Sequence, residues 1–143
     1  KFTDVETIFK TADFITINTP LTKETTHLVD EKKLRMMKKT AYIINNARGP
    51  IVDQNALYKA LKEGWIAGAG LDVFEQEPTP LTNPLLKLDN VVVAPHISSA
   101  SYETRSKMAE MVAENLLAFF RGEKPPNLVN PDVLKVRPLS KLF

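Results

Sequence analysis

The spacing of apolar residues predicts a helix followed by a strand at the start of the chain. Apolar side chains recur every three or four residues at Val5, Ile8, Phe9 and Ala12. That spacing is typical of an amphipathic helix, and the capping-box pattern of Thr3 and Glu6 predicts its first turn. The apolar run at residues 14–18 then predicts a strand. Pro20 ends it, because proline lacks the N–H that a strand ladder needs.

The same order of helix and strand recurs along the first hundred residues. Apolar runs predict strands at residues 14–18, 41–45, 66–74 and 91–94. A short helix opening at Asp30 or Glu31 precedes the second strand, and a helix capped by Asp53 and closed by Gly64 precedes the third. The second strand is apolar enough to be buried on both faces. The pattern predicts an α/β fold whose parallel, doubly wound sheet is built through right-handed crossovers.

The C-terminal part of the chain predicts a long helix and an extended tail. Residues 101–122 carry an apolar stripe formed by Met108, Met111, Val112, Leu116, Phe119 and Phe120. So many large side chains indicate a helix that buries more than one surface. From Glu123 onward, prolines argue against a helix and predict an extended arm. These prolines are Pro125, Pro126, Pro131 and Pro138.

Composition and charge narrow the class of protein. The 143 residues are 43% hydrophobic and 25% charged, as in an ordinary globular domain. A formal net charge of +2, with both signs interspersed, gives no reason to expect nucleic acid or a membrane as a partner. The sequence has no cysteine, which excludes disulfides and thiolate chemistry, and no apolar run long enough for a membrane span. We therefore expect a cytoplasmic protein.

Three chemically active side chains each follow an apolar run. Arg48, Glu77 and His96 come just after the second, third and fourth predicted strands. Because the carboxyl ends of neighbouring strands converge on one crevice in such a sheet, we expect these side chains to meet there. Arginine can hold a carboxylate, histidine can move a proton, and glutamate can orient that histidine. The pattern predicts an acid–base site.

Two other kinds of site are poorly supported by the sequence. A serine hydrolase would combine Ser98 or Ser99 with His96 and Asp72, but there is no Gly-x-Ser-x-Gly turn. A metal site would need more ligands than His27 and His96, which share no ligand spacing, so no metal is expected. His27 lies in a polar segment and is interpreted as a structural hydrogen-bonding residue.

Several separated motifs occur in the order and with the kind of spacing found in one known family. They are Ala12-Asp13-Phe14, Thr19-Pro20-Leu21-Thr22, Asn46-Ala47-Arg48-Gly49, residues 67–74 with Glu77-Pro78, and Pro95-His96-Ile97. In these motifs the chain resembles the D-isomer-specific 2-hydroxyacid dehydrogenases. Within that family, residues 62–70 and 120–126 resemble glyoxylate reductases of the archaeal type.

The resemblance implies an oxidoreductase that reduces a 2-oxo acid, glyoxylate or hydroxypyruvate, to the 2-hydroxy acid with hydride from a nicotinamide cofactor. By the same resemblance, Arg48 would hold the substrate carboxylate and polarise the carbonyl. His96 would give a proton to the carbonyl oxygen, and Glu77 would hydrogen-bond His96 and keep it protonated. Phosphoglycerate dehydrogenase is an alternative, and so is a noncatalytic interaction module like the corepressors that share this fold.

The resemblance also implies a set of contacts with NAD or NADP. The residues at matching positions are Thr19, Pro20, Asn46, Ala47, Arg48, Asp72, His96, Ser98, Ser99 and Ala100. Asp72 matches the family's residue beside the nicotinamide carboxamide. Ser98 is a departure, because the family usually has glycine there. Its hydroxymethyl group could crowd the nicotinamide ring or hydrogen-bond it.

The family's glycine-rich phosphate loop has no counterpart in this sequence. Gly68 and Gly70 lie inside a predicted strand, and Val73 stands where the third glycine would be. We therefore interpret residues 1–100 as part of an NAD(P)-binding Rossmann-type domain, in a chain that begins inside something longer and is inactive by itself. Residues 101–143 would form a crossover helix and tail that pack on a substrate domain. Apolar surface left uncovered predicts a homodimer.

Overall fold

The structure, a computed structural model, describes residues 2–139 and divides them into two compact units, one ending at Ser98 and one beginning at Ser99. Helices and strands alternate along the first unit. In chain order they are α1 (Val5–Thr11), β1 (Phe14–Ile17), α2 (Glu31–Met36), β2 (Tyr42–Asn45), α3 (Gln54–Lys62), β3 (Gly68–Leu71) and β4 (Val91–Val93). Short 3₁₀ turns at Gly49–Ile51 and Pro84–Lys87 lie in the β2–α3 and β3–β4 connections.

The strands of the first unit form one parallel sheet in the order β1-β2-β3-β4. Ile15 pairs with Ile43, which pairs in turn with Ala69. The third strand is shorter than predicted, because residues 72–74 leave the ladder after Leu71. The parallel α/β class is confirmed, and the carboxyl ends of all four strands lie at one edge of the sheet.

Within the described residues, helices cover one face of this sheet. Leu34 of α2, Ile43 of β2 and Leu57 of α3 are fully buried in one apolar cluster. On the other face, Phe14 and Tyr42 are 70% and 43% exposed, and their rings stack at 5.4 Å. The prediction that the second strand is buried on both faces is therefore wrong, because Tyr42 of β2 is exposed. Right-handed crossovers that advance in one direction across a sheet place their helices on the same face.

Side-chain caps fix where the helices begin. Asp4 caps α1, so the prediction of Thr3 is wrong by one residue. The Asp4 carboxylate accepts the backbone N–H three residues further on at 2.8 Å, as a helix N-terminus requires. Asp30 and Asp53 cap α2 and α3 in the same way, and Gly64, with φ of 68°, follows the end of α3 as predicted.

The second unit contains the long helix α4 (Tyr102–Phe120), which Ser101 caps. Its predicted apolar stripe is largely exposed to solvent rather than buried. The prediction of a helix-free tail is wrong, because a short helix, α5 (Val133–Val136), follows Pro131. Pro131 precedes the cap residue Asp132 and lies outside the helix, so its missing N–H costs the helix no hydrogen bond. Among the described residues, no helix is both long and apolar enough to cross a membrane.

Candidate active site

A buried asparagine organises the turn that carries Arg48. Asn45, the last residue of β2, is 1% exposed. Its side-chain nitrogen donates a hydrogen bond to the carbonyl oxygen of Arg48 at 2.9 Å, and its side-chain oxygen accepts one from the amide of Ala47 at 3.2 Å. The Arg48 side chain lies at the surface, where Nη1 donates to the Ala47 carbonyl at 2.6 Å. The guanidinium is thereby placed at the edge of the sheet where open α/β folds bind ligands.

The residue after Arg48 packs directly on the loop that follows β3. A Cβ atom on Gly49 would lie 1.9 Å from both the carbonyl carbon and the carbonyl oxygen of Phe74. No larger residue fits there unless the backbone moves. Because Phe74 precedes Glu77 by three residues, this contact helps to set the position of Arg48 relative to the acidic loop.

Glu77 and His96 form a hydrogen-bonded pair. His96 Nδ1 lies 2.8 Å from Glu77 Oε2, and Glu77 Oε1 accepts a hydrogen bond from the amide of Phe74 at 2.9 Å. The pKa of Glu77 lies below its usual range. The hydrogen bond from the Phe74 amide lowers it most, followed by the hydrogen bond with His96 and by the charges of His96 and Arg48. An ionised Glu77 accepts a hydrogen bond from the N–H at Nδ1 of His96, which leaves Nε2 for proton exchange with a bound molecule.

His96 lies on a left-handed turn that Asp72 holds in place. Its φ is 56°, a value that is uncommon for residues other than glycine. The His96 amide donates to the Asp72 carbonyl at 2.9 Å, and the Asp72 carboxylate accepts the amides of Ile97 and Ser98 at 2.8 and 2.7 Å. Burial alone would raise the pKa of Asp72, but the two amides, together with the Ser98 side chain and the charge of His96, lower that pKa below its usual range. An ionised, buried carboxylate thus stabilises the turn that presents the imidazole.

Except for Ser98, the predicted site residues of the first unit line two cavities. One of about 590 Å³ is lined by Asn18, Thr19, Pro20, Leu21, Asn46, Ala47 and Arg48. The other, of about 650 Å³, is lined by Asp72, Glu77 and His96 together with apolar residues that include Phe74, Leu86 and Val93. The structure therefore brings Glu77 and His96 into contact but places Arg48 on the other cavity. Arg48 still acts on Glu77, since its charge helps to lower the pKa of that carboxyl.

Residues 98–100, which the resemblance implies as cofactor contacts, span the boundary between the two units. The backbone N–H of Ser98 donates a hydrogen bond to the Asp72 carboxylate, so the Ser98 backbone is part of the His96 turn. Ser99 and Ala100 belong to the second unit. Their contact with a cofactor stays a prediction.

Two residues with contacts around this site were not predicted from the sequence. Asn45 closes the Arg48 turn, and Glu75 contacts both His27 and the start of α3. The available signal for Asn45 was a polar side chain at the end of an apolar strand, since a buried amide needs hydrogen-bonding partners. No local signal identifies the contacts of Glu75, because its partners are distant along the chain.

The parallel sheet and the candidate site at its carboxyl edge place the chain among open α/β domains, which bind ligands at that edge. The profile of the D-isomer specific 2-hydroxyacid dehydrogenases, NAD binding domain, matches residues 1–98. The chain therefore belongs to this family. The match ends at the residue where the first compact unit ends.

Individual relatives agree with this assignment. The glyoxylate reductase of Thermofilum pendens is 63% identical over 142 residues, which cover 99% of this chain and 42% of that protein. The TT0316 protein from Thermus thermophilus is 48% identical with a TM-score of 0.85, over 90% of this chain and 41% of that one. The NAD-complexed D-isomer specific 2-hydroxyacid dehydrogenase from Lactobacillus delbrueckii ssp. bulgaricus is 39% identical with a TM-score of 0.83, over 90% and 43%. The chain thus spans less than half the length of each.

Proposed function

We propose that this chain carries the carboxylate-binding and proton-transfer residues of an NAD(P)H-dependent dehydrogenase that reduces a 2-oxo acid to the 2-hydroxy acid. The observation that carries the proposal is the His96–Glu77 pair at 2.8 Å, within the field of Arg48. Glyoxylate is the first substrate to consider, because the relative from Thermofilum pendens is a glyoxylate reductase. Hydroxypyruvate is the second.

Each of the three residues has a separate task in the proposed reaction. Arg48 binds the substrate carboxylate, because its planar fork matches two carboxylate oxygens. A reduced nicotinamide, when bound, supplies the hydride that reaches the carbonyl carbon. His96 donates the proton on Nε2 to the carbonyl oxygen as negative charge builds there. Glu77, anchored by the amide of Phe74, holds the imidazole in the orientation that this transfer needs.

The first unit has groups that fit the nicotinamide end of such a cofactor. The cavity of about 590 Å³ opens where β1 and β2 end, which is where open α/β sheets bind ligands. Asp72, which lines the other cavity, can still accept a hydrogen bond from a carboxamide, because a carboxylate offers about four lone-pair positions and two amides occupy part of them. The 143 residues contain no Gly-x-Gly-x-x-Gly turn for the pyrophosphate. NAD and NADP share the nicotinamide end, so both remain in the proposal.

The alternatives from the sequence can be weighed against this geometry. The oriented His96–Glu77 pair supports a catalyst over a noncatalytic interaction module, because a scaffold has no need of an acid–base pair. Phosphoglycerate dehydrogenase would use the same three residues on a phosphorylated substrate. Comparing hydroxypyruvate with its phosphorylated counterpart in one assay separates these two activities.

The predicted oligomeric state and cellular location do not follow from the geometry of the site. The stacked, exposed rings of Phe14 and Tyr42 support self-association of the chain, because exposed apolar surface favours association. The homodimer, the cytoplasmic location and the packing of residues 101–143 on a substrate domain stay predictions.

The proposal is tested by glyoxylate-dependent oxidation of NADH and NADPH by the purified chain. Arg48→Ala is measured beside the wild type. Arg35→Ala is the matched control, because Arg35 is an exposed arginine of α2 that stacks on Trp65 at 3.6 Å. We expect Arg48→Ala to abolish any turnover and Arg35→Ala to retain it.

Substrate binding is measured in the same samples, because binding does not depend on turnover. Glyoxylate added to the wild type should displace the imidazole NMR signals of His96 until the site is saturated. In Arg48→Ala the affinity should fall about tenfold or more, as expected when a charged hydrogen bond is lost. The proposal would be contradicted if the His96 signals did not shift when glyoxylate is added. It would also be contradicted if the wild type and Arg48→Ala bound glyoxylate with equal affinity.

A further inference from the structure

Both histidines of the chain pair with glutamates of one short segment. His96 meets Glu77, and Nε2 of His27 lies 3.1 Å from Oε1 of Glu75, two residues earlier. Both histidines also have a left-handed backbone, with φ of 51° at His27 and 56° at His96. Such a backbone persists in a residue other than glycine when surrounding contacts hold it. Segment 75–77 is therefore held by two histidines that come from different parts of the chain.

Glu75 connects this segment to helix α3. The same Oε1 atom accepts a hydrogen bond from the amide of Gln54, the first residue of α3, at 3.1 Å. A carboxylate at that position also suits the positive end of the helix dipole. One oxygen atom thus joins the loop after β3, the start of α3 and His27.

His27 is tied in turn to the segment that carries Arg48. Its amide donates to the carbonyl of Pro50 at 2.8 Å, and residues 27–29 continue beside residues 50–53 as a short parallel bridge. Pro50 follows Arg48 by two residues. His27 therefore contacts the Arg48 segment through its backbone and the loop of Glu77 through its side chain.

We propose that His27 and Glu75 form a positioning pair, which sets the separation between Arg48 and Glu77 in the active site. Neither side chain needs to touch the substrate, because each acts through a loop that carries a catalytic group. The inference rests on the proposed function, since this separation matters when both groups act on one substrate.

The exposure of the pair shows which effect to expect from it. The side chains of His27 and Glu75 are 49% and 32% exposed, and side-chain pairs as exposed as this one contribute little to stability. The exposed pair Lys10–Glu6 joins neighbours on one helix, whereas His27 and Glu75 are 48 residues apart in the sequence. The expected effect of the pair is therefore on the geometry of the site.

The experiment compares the imidazole NMR spectra of three variants, without substrate or cofactor. The chain has two histidines, so the imidazole signals that remain in His27→Asn belong to His96. This variant therefore assigns the signals of both histidines. Glu75→Gln keeps the size of the side chain and an acceptor for Gln54, but removes the charge. Glu6→Gln is the control, because Glu6 is an exposed glutamate of α1 that also pairs with lysines.

We expect the His96 signals to move by several line widths in the same direction in His27→Asn and Glu75→Gln, and to stay in place in Glu6→Gln. Glu75→Gln removes a negative charge and His27→Asn does not, so a direct effect of the Glu75 charge cannot produce the same displacement in both. Signals that stay in place, or that move in opposite directions, overturn the proposal. The spectrum needs no turnover, so this outcome is independent of whether glyoxylate is reduced.

Discussion

The two histidine turns of the first unit share a backbone conformation but are held by different interactions. The His96 turn is fastened by a buried carboxylate, because Asp72 accepts the amides of the two residues that follow the histidine. The His27 turn is fastened by its backbone, beginning with the hydrogen bond from its own amide to the carbonyl of Pro50. Charge therefore holds the proposed proton donor, while backbone pairing holds the more distant histidine. Substitutions can therefore be chosen that disturb the His96 turn, the His27 turn or both.

Gly49→Ala should disturb both turns and have the largest effect. The new Cβ would lie 1.9 Å from the carbonyl atoms of Phe74, so the loop that carries both glutamates must move away from the Arg48 segment. We expect the free energy of unfolding to fall by about 3 kcal/mol, as in severe overpacking. Urea unfolding followed by circular dichroism measures this change.

Gly70→Ala is the matched control for that substitution. A Cβ on Gly70 would lie 3.6 Å from the side chain of Ile44, which is an ordinary van der Waals contact. We expect stability to change by less than about 1 kcal/mol, since alanine is also the better strand residue. Similar losses in the two variants would show that the contact between Gly49 and Phe74 is not what joins the loops.

Asp72→Asn should weaken the His96 turn alone. The substituted amide keeps one acceptor oxygen, so either Ile97 or Ser98 loses the partner of its N–H group. We expect a loss of about 2 kcal/mol in the free energy of unfolding, because a hydrogen bond to a charged acceptor is lost. Asp13→Asn is the control: Asp13 is exposed and pairs with Lys38, so its loss should cost below about 1 kcal/mol. Equal losses would mean that the Asp72 carboxylate does not hold the turn.

Acid should weaken the His96 turn through the same carboxylate. Hydrogen bonds lower the pKa of Asp72 in the folded protein despite its burial, so the folded state releases this proton more readily than the unfolded state does. The resulting stability is fully present above the usual carboxyl pKa of about 4, and it is lost as the pH falls through the lowered value. The difference in unfolding free energy between the wild type and Asp72→Asn should therefore shrink in acid. A difference that stays constant across the acid range would contradict this account.

The sequence predicted those features of the fold that depend on local signals. Asp30, Asp53 and Gly64 mark helix ends by their own chemistry, and apolar runs locate the strands. Burial of the second strand on both faces was predicted wrongly. The direction of the crossovers, rather than the residues of the strand, decides on which face the helices pack.

The sequence indicated which residues to propose for the candidate site but not how they are arranged. Arg48, Glu77 and His96 were proposed because each follows a strand whose carboxyl end lies at the same edge of the sheet. The left-handed turn at His96 could not be found, since it depends on Asp72, which lies 24 residues earlier in the sequence. The contacts of Glu75 could not be predicted either, because its partners come from two other segments of the chain.

His27→Asn should have the smallest effect on stability. Asparagine tolerates a left-handed backbone and keeps the N–H that donates to Pro50, while the exposed pair with Glu75 is lost. We expect the free energy of unfolding to change by less than about 0.5 kcal/mol. His27→Val should cost about 2 kcal/mol, because a β-branched side chain is strained in that conformation. If asparagine is as costly as valine, the side-chain pair and not the backbone holds the His27 turn, and the contrast with His96 disappears.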